Sequence, residues 1–102
     1  MSDKIAVTRH QTLVAHMRQI GLIDKNSPVI GHALVDDIRG KHVYGILPLH
    51  LAAEAETVTE IPVVVPKWLR GKDLSLSELR HYVRDPITYC VERLHDDGRA
   101  DR

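Results

Sequence analysis

The chain has no phenylalanine, one tryptophan and three tyrosines among 102 residues. Holding single-stranded nucleic acid without sequence preference takes a series of aromatic platforms, so a general binder of that kind is disfavoured. Charge of one sign is also missing. Lys plus Arg and Asp plus Glu number 14 each, and a balanced chain has no overall field with which to hold a long nucleic acid by counterion release. An anionic ligand has to be met locally. The single cysteine, Cys90, excludes an internal disulfide and a cysteine-based zinc cluster. It falls in an alternating run and reads as a small buried thiol. No apolar run approaches membrane-spanning length, and the short strand behind Asp3 and Lys4 is not the extended apolar region of a signal peptide. A cytoplasmic protein that engages no membrane is expected. Residues 1–94 are expected to form one α/β domain, followed by a polar disordered tail at 95–102, HDDGRADR.

What is present is organised around Val43 to Glu54, VYGILPLHLAAE, where an apolar run stops at Pro48 and an alanine-rich helical pattern begins. It reads as strand into helix. A proline at the first helical position sacrifices no hydrogen bond, because the opening N–H groups of a helix have no partner within it. Those groups and the helix dipole favour an anion, and His50 would sit beside it. Upstream, Lys4–Thr8 (KIAVT) reads as a buried strand. Leu13, Val14, Met17 and Ile20 then recur at helical spacing until Gly21. Asp24–Pro28 is a turn, Val29–Ala33 a second strand whose Gly31 tolerates close approach, Val35–Arg39 a helical turn, and His42–Leu47 a third strand. The helix from Pro48 to about Glu56 precedes a fourth strand at Glu60–Val65, placed at an edge by Pro62. A cation-rich loop follows at Pro66–Asp73. Ser75 and Glu78 make a capping-box signature for a helix to about Arg84, and Ile87–Leu94 alternates like a strand. Strands separated by helices predict right-handed parallel βαβ units. The fold class is α/β, a small Rossmann-like three-layer sandwich with a mostly parallel sheet of about five strands.

In such sheets ligands lie beyond the carboxyl ends of the strands, near the point where strand order reverses. That edge would gather Thr8, Arg9 and His10 after the first strand, His32 after the second, Leu47 to His50 after the third, and Pro66 and Lys67 after the fourth. Arg9 can grip a phosphate with two parallel hydrogen bonds, and Thr8 can donate or accept one. A phosphate-bearing ligand is the natural inference, while the absence of G-x-G-x-x-G and G-x-x-x-x-G-K-[ST] disfavours ordinary dinucleotide and P-loop readings. Blander readings stand beside these. Arg9 can be a surface ion pair; His32 and His50, taken singly, are more often structural histidines. Glu54 lies one helical turn after His50, either as an orienting carboxylate or, the preferred reading, as a helix-surface contact. A metal set of His10, His32, His50 and Glu54 matches no zinc spacing, so no metal and no cofactor are expected. Lys67, Arg70 and Lys72 are either a flap over an anion or a solvated loop. Trp68 between them either stacks on a base or, preferably, anchors the loop to the core.

Three segments, VTRH (Val7–His10), GILPLHLAAE (Gly45–Glu54) and LRGKDLSLSELRHY (Leu69–Tyr82), resemble the small accessory proteins of type III CRISPR systems that are classed as ring nucleases. The similarity runs from about Ile5 to Tyr82. Many relatives carry an acidic residue near the position that Val64 holds here. The resemblance implies a homodimer that binds cyclic oligoadenylate, cyclic tetraadenylate above all. It also implies cleavage without a metal: a ribose 2′-hydroxyl attacks its neighbouring phosphate, the products end in a 2′,3′-cyclic phosphate, and type III antiviral signalling is switched off. On that pattern Arg9, His10 and His50 would be catalytic, Arg9 on the phosphate and one of the two histidines protonating the leaving 5′-oxygen. Thr8, His32, Pro48, Leu49, Glu54 and Lys67 would touch the ligand. Two other classes stay open: a binder that does not cut the ring, acting as sensor or sponge, and a protein-interaction module of a mobile element in which the histidines are structural.

Overall fold

The computed structural model describes residues 3–94, and the tail expected at 95–102 lies outside them. Strand β1 (Lys4–Val7) leads into α1 (Gln11–Gln19). There follow β2 (Val29–Ile30), α2 (Val35–Ile38), β3 (His42–Gly45), α3 (Leu49–Ala52), β4 (Thr57–Glu60), a 3₁₀ turn (Lys67–Leu69), α4 (Leu76–Leu79) and β5 (Ile87–Tyr89). The sheet order is β2-β1-β3-β4-β5. All neighbours run parallel except β4 and β5, which are antiparallel.

Side chains alternate across a strand, and β1 shows what that does here. Ile5 and Val7 face one side, where they pack with Val43 of β3, Val58 of β4, Ile38 of α2 and Ala52 of α3. Ala6 faces the other side, with Val14 and Met17 of α1 and Ile61; α4 packs beside α1. Helices therefore cover both faces, which is why the central strands read as continuous apolar runs. Among the described residues no helix is long and apolar enough to cross a membrane.

Four elements differ from the sequence reading. The fourth strand is Thr57–Glu60, not Glu60–Val65. Thr57, Val58 and Thr59 are β-branched and fit a pleated ladder, whereas Pro62 has no N–H to offer one; beyond it Val63 makes only an isolated bridge to Val83. The helix after β3 is correspondingly a single turn. Pro48 flanks it as the N-cap with φ −56° and ψ 149°, its carbonyl accepting from the Leu51 and Ala52 N–H groups at 3.0 and 2.9 Å. The Ser75–Glu78 capping box forms as its residues imply: Ser75 Oγ accepts from the Glu78 N–H at 3.2 Å, and the Ser75 N–H donates to Glu78 Oε1 at 2.9 Å. The helix it opens nevertheless ends at Leu79, because the following chain turns back to bond Pro62 and Val64 through Arg84 and Tyr82. The last strand stops at Tyr89, and Cys90 is exposed rather than buried, since β5 lies at the sheet's edge and its own residues are exposed.

Candidate functional site

From β1 the chain crosses to β2 on one side and returns past β1 to β3 on the other, so strand order reverses between the carboxyl ends of β1 and β3. Thr8, Arg9 and His10 occupy that point. The Thr8 N–H donates to the Ile30 carbonyl at 2.9 Å, and Thr8 Oγ1 accepts from the His10 N–H at 3.1 Å, so the turn out of the sheet is tied at both ends. His10 is the N-cap of α1, its carbonyl accepting from Leu13 and Val14. Its ring makes no capping bond. The opening N–H groups of α1, which lack partners within the helix, lie at the same edge.

Arg9 is exposed and pairs with no carboxylate among the described residues. Its stem lies across Gly31, where an added Cβ would stand 3.1 Å from Arg9 Cγ. His32 follows Gly31 and is exposed at the same margin. Gly45, paired in register with Val7, has φ +142°, and an added Cβ would collide with the Val7 carbonyl oxygen. This backbone approach leaves a cleft of about 220 Å³ bounded by Val7, Thr8, His10, Leu13, Gly45, Ile46 and Ile61. His10 and Leu13 also border a second cleft of about 280 Å³, whose far wall is the loop through Leu69, Arg70, Gly71 and Lys72. His10 thus stands between two clefts.

The remaining sequence candidates border neither cleft. Pro48, Leu49 and His50 are exposed after β3, and Leu49 borders an apolar groove with Ala52, Val58 and Tyr89 that meets the switch-point cleft at Gly45 and Ile46. With a single helical turn at α3, little aligned dipole accumulates there. The Glu54 carboxylate lies 3.5 Å from Arg93 and 3.9 Å from Arg39, so it is a surface tie and not the partner of His50. Lys67 opens the 3₁₀ turn and does not follow β4 directly. Trp68 is 70% exposed; the half-buried Leu69, not Trp68, anchors that loop.

Gly45 is not among the site residues expected from the sequence, and a glycine inside the apolar run VYGIL is its signal; the wall from Leu69 to Lys72 contains Arg70 and Lys72, two of the three cations that the sequence offers as either a flap over an anion or a solvated loop. Away from this edge, His16 is buried with its Nδ1 unpartnered. Burial, and next the positive charge of Arg80, push its pKa below the ordinary value. Among the described residues no three His, Cys, Asp or Glu converge to hold a metal ion.

A family model described as "Putative CRISPR-associated protein (Cas_VVA1548)" matches residues 5–92, a span that includes both clefts. No curated protein and no solved structure matches the chain.

Proposed function

Since the chain belongs to this CRISPR-associated family, we propose that it binds cyclic oligoadenylate at the β1/β3 edge and cleaves the ring without a metal. The observation that carries this reading is His10, the N-cap of α1 on the wall of both clefts, preceded by Arg9, whose stem lies across Gly31 and which pairs with no carboxylate among the described residues. In the reaction the ribose 2′-oxygen attacks the adjacent phosphorus. A P–O2′ bond forms and the P–O5′ bond breaks, leaving a 2′,3′-cyclic phosphate and a 5′-hydroxyl. The 2′-hydroxyl gives up one proton and the 5′-oxygen takes one. His10, on the wall of both clefts, protonates the leaving oxygen; His50, exposed after β3 and bordering neither cleft, is the alternative donor. Arg9 offsets the charge that builds on the phosphate, and Thr8 with the opening N–H groups of α1 orients it.

Each of the two clefts, about 220 and 280 Å³, is small beside the ~300–1,000 Å³ usual for a ligand pocket, and the ligand is a ring of four nucleotides. A two-fold dimer doubles the edge and matches a ring with two-fold symmetry. A non-cleaving binder is the second reading, favoured by one observation: among the described residues neither the His10 nor the His50 ring is hydrogen-bonded to an orienting group, as a catalytic imidazole commonly is. Both readings predict ligand stabilisation. Cyclic tetraadenylate at a hundred times its Kd stabilises the fold by ~2.7 kcal/mol, a rise in Tm on the order of 10 °C for a domain this small. The shift is expected to vanish in Arg9→Ala. No shift in the unaltered chain refutes the proposal.

A further inference from the structure

We infer that the cleft walled by the loop at residues 63–74 is a nucleobase subsite, with Trp68 closing over the base of the nucleotide whose phosphate lies at Arg9. The inference rests on the reading of the chain as a binder of cyclic oligoadenylate. The cleft has walls suited to a flat apolar ring: Leu13, Val65, Leu69, Leu74 and Leu79 border it, and its charged lining residues, Arg70 and Lys72, are both cationic. Neither pairs with a carboxylate among the described residues. His10 borders this cleft and the switch-point cleft alike, so a nucleotide straddling it places its base here and its phosphate beyond His10 toward Thr8, where the exposed Arg9 side chain can swing to meet it.

The loop is tied down at its end and folded locally. Thr12 Oγ1 donates to the Leu74 carbonyl at 3.2 Å, and the 3₁₀ turn is closed by the Leu69 N–H to the Pro66 carbonyl at 2.9 Å. On that turn the ring of Trp68, one residue before Leu69 on the cleft wall, is left 70% exposed. A large aromatic held in water on an ordered turn and flanked by cations is a stacking platform for a base.

Trp68 is the only tryptophan, so the tryptophan emission of the whole chain reports this position alone. The test follows tryptophan emission, excited where tyrosine does not absorb, as cyclic tetraadenylate is added to the unaltered chain, and Tm against ligand concentration, which gives the apparent Kd, in the unaltered chain, Trp68→Ala and Trp68→Phe. The expected result is a saturable change in emission, with the apparent Kd raised about tenfold in Trp68→Ala and nearly retained in Trp68→Phe, which keeps a ring to stack. If the ligand raises Tm but Trp68→Ala binds as tightly as the unaltered chain, the subsite is overturned whatever the emission does, and the ring-binding reading stands. If the ligand moves neither Tm nor emission, both fall.

Discussion

Replacing Gly45 by alanine tests the close approach of β1 and β3 on which the candidate site is built. Gly45 has φ +142°, and an added Cβ would collide with the Val7 carbonyl oxygen and stand 3.1 Å from its carbonyl carbon. Both obstacles are backbone, locked in a parallel ladder whose register pairs Val7 with Gly45. Relief therefore requires opening the ladder or distorting the strand end. The strained dihedral costs about 1–3 kcal/mol and the overpacking a similar amount, roughly 2–6 kcal/mol together. A domain of this length has a total stability of about 5–15 kcal/mol, so the loss is a large fraction of the whole. Gly40→Ala is the control: φ is +71° there, but nothing lies within 4 Å of the added Cβ, leaving only the ~1–2 kcal/mol of a left-handed alanine. Urea unfolding followed by circular dichroism measures both. With m of about 1–3 kcal/mol/M, the Gly45→Ala midpoint is expected on the order of 1 M below that of Gly40→Ala. Equal midpoints would refute the claim that the two strand ends meet backbone to backbone.

Three further predictions concern single positions. The buried ring of His16 resists the proton that the unfolded chain accepts near its ordinary value of 6.5; its contribution to stability is complete above that pH and is lost as pH falls below it. Urea midpoints measured on either side of that value should differ, and His16→Gln should reduce the difference. Ser75→Ala removes the side-chain acceptor for the Glu78 N–H and should cost about 1 kcal/mol, read as a lower urea midpoint at unchanged m. Gly31→Ala places a Cβ 3.1 Å from Arg9 Cγ. Because a flexible side chain can give way, the midpoint should hold while affinity for cyclic tetraadenylate drops severalfold.

The layered α/β architecture was legible because the central strands, KIAV and HVYG, are short apolar runs separated by a helix with clear periodicity at Leu13, Val14 and Met17. The capping box was legible because Ser75 and Glu78 satisfy each other locally, independent of the rest of the fold. The fourth strand was misplaced because VVV after Pro62 has higher β-propensity than TVTE. Ladder pairing, a tertiary matter, decided for the segment that keeps all its N–H groups. Cys90 alternates like a buried strand residue, yet the sequence did not reveal that its strand lies at the edge. Arg9 and His10 were placed by a topological rule that needs only strand order, and the structure supplies that order. The contacts of Glu54 with Arg39 and Arg93, and the exposure of Trp68, depend on how distant segments meet. No local pattern encodes them.

The most direct test of the account is incubation of the purified chain with cyclic tetraadenylate in the presence of EDTA, with products separated by chromatography and weighed by mass spectrometry, beside an Arg9→Ala variant of unchanged Tm. The account predicts linear fragments ending in a 2′,3′-cyclic phosphate from the unaltered chain and an intact ring from the variant. An intact ring from the unaltered, folded chain would contradict it.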